Sequence, residues 1–372
     1  MTTRPKPAAS PRRPTMTDVA KAAGVSQSTV SMVLNHMSGA RLAPETRARV
    51  FEEAARLGYR LPRRDGQPEP QAALAGAGGG AGGAGGAVPR TVIGYLVDEI
   101  STSPHPVVSV DGARDAAWEH GCVLAVHVTR GNTAQEAATL AALAAHPGLL
   151  GIVYSTIFTR EVRLPEPLRA GHVPVVLLNC HDDELRRPAI VPGEVGGGHG
   201  ATEHLIRHGH PRIGFINGEP WMEAAKDRLK GYKRALATAD LPFDPALVRD
   251  GDWMSGSGYD ATLSLMREPR PPTALFCAND LMAIGALEAL RQLGLRVPED
   301  ISVMGYDDQE ISRHTHPPLT TMVLPNYEMG RAAVEALLGL ATGQIADTAP
   351  AGRRWLTKID CPLVERESVR RR

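Results

Sequence analysis

MTDVAKAAGVSQSTVSMVLN, residues 16–35, reads as two short helices joined at a glycine, and the rest of the fold is read outward from it. Val19, Ala20 and Ala23 share one face of the first helix, and Val30, Val33 and Leu34 share one face of the second. The two therefore close on a common apolar seam. Gly24 supplies the turn, and Thr17 and Ser26 are the expected N-caps. Gln27, Ser28, Thr29, Ser31, Met32 and Asn35 are left on the outward face of the second helix. Amides and hydroxyls in that position suit base edges in a DNA major groove, while a helix N-terminus suits phosphate. A small three-helix bundle with a polar exterior has the same periodicity, so charge has to decide between them.

The chain has 372 residues and no net charge, but the charge is divided. Residues 1–64 hold 12 Lys or Arg against 4 Asp or Glu, leaving 29 against 37 in the remainder. A basic head on an acidic body points to phosphate contact through the head and small-ligand work in the body. The length allows more than one domain. Cys122, Cys180, Cys277 and Cys361 lie far apart in no C-x-x-C spacing, so they indicate neither a disulfide framework nor a zinc site. With no apolar leader and no membrane-length run, a cytoplasmic protein is expected. No metal ligands, cofactor motif or catalytic set is expected either.

Residues 1–14, MTTRPKPAASPRRP, read as a disordered basic arm, and residues 15–61 as the helical head. Pro44 opens a third helix on which Val50, Ala54 and Leu57 recur at i, i+4 and i+7. Gly58 ends it and Tyr59 packs back, with Arg47, Arg49, Arg60, Arg63 and Arg64 available for phosphates. Residues 62–89, ending in GAGGGAGGAGGA and two further residues, cannot build a core and read as a linker. From residue 90 to 367 the texture is α/β, with a short tail at 368–372. The runs TVIGYLV, VLAVHV, LLGIVYS, PVVLLN, RIGFIN, TALFCAND and ISVMGYDD alternate with helical stretches, which implies parallel sheets covered on both faces. Ligands bind such sheets at the carboxyl ends of the strands. Asn179, Asn217, Asn279, Asp280, Asp307 and Asp308 stand at those ends.

Several motifs in order resemble the lactose-repressor/galactose-repressor family of bacterial transcription regulators. They are TDVAKAAGVSQSTVSMVLN and TRARVFEEAARLGY in the head, and HLIRHGHPRIGFING, DRLKGYKRAL, FCANDLMAIGALEALRQLGLRVPEDISVMGYDD and PPLTT in the body. The resemblance implies an all-α helix-turn-helix DNA-binding head followed by an α/β, two-lobed periplasmic-binding-protein-like domain that binds an effector and dimerises. It also implies double-stranded DNA with a pseudo-palindromic operator, a sugar or related metabolite, and a second copy of the chain as partners. Residues 353–372 carry no leucine heptad, so a homodimer is expected.

Residue by residue, Gln27 and Ser28 match base-reading positions. Met32 replaces an arginine usual in the family, which predicts a different operator. In the body the resemblance assigns Arg228 as the pocket arginine. Asn279, Asp307 and, less directly, Asn179 match strand-end polar groups, and Trp253 an aromatic that stacks on a sugar. His105, in STSPHPVV, is a further candidate, and Leu281 and Leu324 replace amides of some members. Strand-end capping is the competing role for each of Asn179, Trp253, Asn279 and Asp307. Leu74 in QAALAG is the candidate minor-groove wedge, although its Pro- and Gly-rich surroundings equally fit a tether. The run GEVGGGHGATEHL has the look of a phosphate loop and would favour a sugar-processing enzyme, but it lacks the G-x-G-x-x-G register. A solute-binding protein is the other rival.

Overall fold

The structure is a computed structural model that describes residues 19, 22–25, 44–57, 91–169, 173–182, 186–345 and 355–372. It divides into two units, residues 1–75 and 76–372. In the first unit Val19 and Ala23 are helical and fully buried, and Gly24 follows at φ +64°, the left-handed turn that a side chain resists. Helix α1, Pro44–Arg56, buries Val50 and Ala54, and Leu57 beyond its end is half-buried, as the spacing predicts. The Arg49 Nε donates to the Ala23 carbonyl at 2.9 Å. That arginine, one of those available for phosphates, satisfies through its Nε an orphan carbonyl at the end of the first helix. The predicted DNA-facing residues Thr17, Ser26, Gln27, Ser28, Thr29, Ser31, Met32 and Asn35, with Tyr59 and Leu74, lie outside the described residues.

The second unit holds two six-stranded sheets. The first comprises β1 (Thr91–Val97), β2 (Cys122–Val128), β3 (Leu149–Glu161), β4 (Val175–His181), β5 (Ala189–Pro192) and β11 (Leu356–Ile359), in the order β11-β5-β4-β3-β1-β2. All its pairings are parallel. Alternation along β1 explains why it needs cover on both sides: Ile93, Tyr95 and Val97 face one apolar cluster and Leu96 the other. Helices α2 (His105–Glu119) and α9 (Asn326–Ala341) cover the first face through Ala113, Ala116, Ala333 and Leu337. Helix α3 (Thr133–Ala144) covers the second through Leu140 and Leu143. Asn132 caps α3, its side-chain oxygen accepting from the Ala134 and Gln135 amides at 3.0 Å.

The second sheet comprises β6 (Ile213–Asn217), β7 (Val248–Asp250), β8 (Ala274–Cys277), β9 (Ser302–Asp307), β10 (Thr320–Val323) and β12 (Leu363–Val364), in the order β12-β10-β9-β8-β6-β7. Only the β10–β12 pairing is antiparallel. Helices α5 (Glu194–Arg207), α6 (Glu223–Thr238), α7 (Ser255–Met266) and α8 (Asp280–Gln292) belong to this lobe. The chain crosses between the sheets three times: from β5 to α5, from β10 to α9 and from β11 to β12. The first and third crossings are tied by the Gly193 amide, which donates to the Ile359 carbonyl at 2.7 Å.

The glycine run is helical. GEVGGGHG opens α5, where a Cβ at Gly197 would collide with the Tyr306 ring and one at Gly198 with the Arg228 backbone on α6. Close packing, not phosphate, explains those glycines. The residues set apart as a tail also belong to the lobe. Ser368 is fully buried, donating to the Val303 carbonyl at 2.6 Å and accepting from the Thr320 amide at 2.8 Å.

Candidate functional site

A cavity of about 320 Å³ lies between the two lobes, at the carboxyl ends of the strands. His105, Asn179, Arg228, Trp253, Asn279 and Asp307 all line it. His105 begins α2 and Asn179 sits on β4 in the first lobe. The others come from the second, with Arg228 on α6, Trp253 after β7, Asn279 capping α8 and Asp307 ending β9. Asn217 and Asp308 are not among the lining residues. Asp308 instead pairs with Arg366 and Arg313, holding the chain's last segment.

Arg228 is the electrostatic centre and is only 3% exposed. Its Nε and Nη2 donate to the two Glu194 oxygens at 2.7 and 2.8 Å, and Nη1 donates to the Ala278 carbonyl. The guanidinium lies 3.7 Å from the Tyr306 ring centroid and 5.5 Å from that of Trp253. Burial works against its charge, but Glu194, followed by Tyr306 and Asp307, outweighs that and holds the group above the ordinary arginine value. An arginine has five N–H donors. Three are taken, which leaves one on Nη1 and one on Nη2, and Nη2 lies 3.7 Å from Asp307 Oδ1.

Asp307 also meets the first lobe. His105 Nε2 stands 3.4 Å from its Oδ2, and Gln309 Nε2 donates to the same oxygen at 3.3 Å. Asn179 accepts from the Thr159 hydroxyl at 2.6 Å and donates to the Thr156 carbonyl at 3.0 Å. Asn279 fills the capping role weighed against ligand contact. Its oxygen accepts from the Met282 amide at 2.9 Å and its nitrogen donates to the Trp253 carbonyl at 2.9 Å. It lines the cavity while holding Trp253 in place. Asp280 is fully buried, accepting from Thr321 Oγ1 at 2.6 Å and from the Gln309 amide at 2.8 Å. Burial, then the Asp307 charge, raises its pKa well above the usual carboxylate range.

Backbone strain gathers here. Of six non-glycine residues at positive φ among the described residues, Asn179 (57°), Trp253 (69°) and Asp307 (108°) line the cavity and Asp308 (53°) adjoins it. Such conformations cost on the order of 1–3 kcal/mol each and persist where surrounding contacts enforce them. Leu281 and Leu324 line the cavity and make it more apolar. Sequence reading missed Phe158, Trp221, Met222, Glu194 and Gln309. Phe158 lies on an extension of β3 and packs edge-on against Trp221, with ring centroids 5.5 Å apart, across the two lobes. Neither residue stands at a strand end or in a motif. Only the buried acid in the glycine run, Glu194, carried a signal, as a carboxylate inside an otherwise apolar helix face.

Residues 15–61 match the model for bacterial regulatory proteins of the lacI family, and residues 202–369 match the periplasmic binding protein-like domain. The HTH-type transcriptional repressor PurR of Aliivibrio fischeri (strain MJ11) is 35% identical over 328 residues, covering 87% of this chain and 90% of that protein. The chain belongs to the lacI family. Among solved structures, the lac repressor dimer bound to operator and the anti-inducer ONPF shares 29% identity at TM-score 0.62, covering 96% of this chain and 100% of that one. The transcriptional regulator CelR–cellobiose complex shares 29% identity at TM-score 0.61 with the same coverage. As a lacI-family member the chain is a DNA-binding transcriptional regulator and not an enzyme.

Proposed function

We propose that this regulator is a homodimeric repressor that holds a pseudo-palindromic operator through two heads and changes its grip when a carbohydrate-like metabolite fills the cavity between its lobes. The observation that carries the reading is the cavity's mixed chemistry. Two unmet Arg228 donors and the Asp307, Asn179 and Gln309 polar atoms suit hydroxyl groups, while Trp253, Trp221 and Phe158 suit the apolar face of a ring. His105, Asn179, Arg228, Trp253 and Asp307 then contact the effector, and Asn279 holds Trp253 for it. The head reads DNA through Gln27, Ser28, Thr29, Ser31, Met32 and Asn35, with Thr17, Ser26 and Tyr59 on the backbone and Leu74 at the minor groove. Residues 62–89 serve as the linker, and the protein works in the cytoplasm, where the chromosome is.

Dimerisation is supported by size, because one small head makes too few contacts for specific binding at physiological salt. The lac repressor in its solved complex is a dimer on its operator, and CelR was solved with cellobiose. Footprinting the DNA upstream of this gene and of adjacent sugar genes, with and without a panel of mono- and disaccharides and nucleosides, tests the reading. A symmetric protected site whose occupancy changes with one sugar supports it. Protection that no member of the panel alters refutes the effector assignment, and no protection at all refutes the operator.

A further inference from the structure

Away from the cavity, the carboxyl-terminal turn of α5 carries His204, and His208 follows one turn later, just beyond the helix. Residues four apart on a helix share a face, and here the two rings lie with centroids 4.2 Å apart. Glu365, immediately after β12, completes a group whose candidate ligand atoms all lie within 4.8 Å of one another. We propose that His204, His208 and Glu365 bind one divalent ion of the zinc class, with water in the remaining position.

Two hydrogen-bonding facts support ligation. His204 is 3% exposed, and among the described residues its Nε2 has no hydrogen-bond partner, an uncompensated cost unless something occupies that lone pair. His208 Nδ1 lies 2.8 Å from the His204 carbonyl oxygen. A carbonyl only accepts, so Nδ1 carries the proton and Nε2 presents its lone pair. That is the outer hydrogen bond by which ligating histidines are oriented. Burial lowers the His204 pKa to about 4, so its ring is neutral near pH 7.

Two imidazoles and one carboxylate form a three-ligand set that suits Zn²⁺, with an open fourth place. Tetrahedral ligands at ~2.1 Å from the metal stand roughly 3.4 Å apart. The atoms here lie within 4.8 Å of one another, so ligation needs a closing movement of at most about 1.4 Å, which the exposed Glu365 is free to supply. The exposed Arg207 nearby adds unfavourable charge, which Glu365 offsets. Bound metal would clip α5 to the segment after β12. Four scattered cysteines gave no hint of such a site because its donors are histidines and a carboxylate.

The test uses the full chain stripped with EDTA and dialysed, titrated with ZnCl2 by calorimetry and with CoCl2 by visible absorption, with MgCl2 as the control. The expected result is one saturable equivalent of Zn²⁺, tetrahedral Co²⁺ absorption and no Mg²⁺ binding. Because outer-shell partners alone are worth 10–100-fold in affinity, His208→Gln should weaken Zn²⁺ binding by more than about 100-fold. Glu365→Gln should weaken it less and remove the tetrahedral Co²⁺ signal, and its exposure keeps that variant folded. No saturable equivalent in the unaltered chain, or an affinity unchanged in both variants, overturns the proposal.

Discussion

Replacing Arg228 tests the centre of the cavity, and the structure sets the size of the effect. The side chain and its partner Glu194 are both buried, at 3% and 4% exposure, and they share two hydrogen bonds. Arg228→Met therefore strands a buried carboxylate, and breaking such a pair from one side costs about 3–5 kcal/mol. Glu194→Gln costs less, because Asp307 and the Tyr306 ring still face the guanidinium. The double variant removes both charges together, so its cost should fall short of the sum of the singles by at least about 2 kcal/mol. Urea unfolding followed by tryptophan fluorescence reads this cleanly, since Trp118, Trp221, Trp253 and Trp355 all lie in the body and none in the head. Ligand response is better tested with Arg228→Lys. It keeps the charge but loses the planar fork, so it should weaken effector binding while leaving effector-free operator affinity in place. Additivity of the two single variants within about 0.5 kcal/mol would refute the coupled ion pair.

Two further outcomes follow from named groups. Asp280 has a raised folded pKa, so the folded state holds its proton to higher pH than the unfolded one. Its contribution is complete below the unfolded value and is lost as pH rises through the folded one. Asp280→Asn can accept from the Gln309 amide and donate to Thr321 Oγ1, so its urea midpoint should gain on the parent protein as pH rises; a constant difference would contradict this. For the head, log affinity for operator should fall steeply with log salt, and replacing Arg60 or Arg63 by Gln should lower that slope by about 1 for each phosphate left without its cation; filter-binding titrations across salt measure it.

Strand-end chemistry was legible because parallel sheets put functional groups where apolar runs stop. Asn179, Asn279 and Asp307 were found that way, and Arg228 and Trp253 through motif resemblance. Seven apolar runs marked seven strands. The runs at β5, β7, β10, β11 and β12 are two to four residues long, too short for periodicity to register. Phe158 and Trp221 were hidden for another reason. Each gains its meaning only from the other, 63 positions away in sequence, once the lobes meet. The glycines of α5 had the look of a phosphate loop, although their register excluded one, because a helix packed tightly on another and a loop wrapped around phosphate make the same demand for a missing Cβ.

Closure of the lobes is where the cavity and any switch join. Among the described residues, side-chain contacts between the lobes include His105 to Asp307 at 3.4 Å, Phe158 to Trp221, His181 Nε2 to both Glu223 oxygens at 3.2 Å, and Lys358 Nζ to Asp227 Oδ2 at 3.9 Å. Each has at least one partly exposed partner and is worth only about 0.2–1.5 kcal/mol by type, so closure is weakly held without a ligand. A molecule touching Arg228 on one side and Asn179 on the other makes its full set of contacts only in the closed arrangement, and that differential affinity is what moves a two-state equilibrium. Glu223 is absent from the cavity lining, which makes it the informative position. Glu223→Gln weakens one latch without altering a lining side chain, so effector affinity should drop several-fold while the unfolding free energy from urea titration stays within about 0.5 kcal/mol of the parent. Small-angle scattering without effector should then show a larger radius of gyration. If effector affinity is unchanged in that variant, the His181–Glu223 contact has no part in closing the cleft.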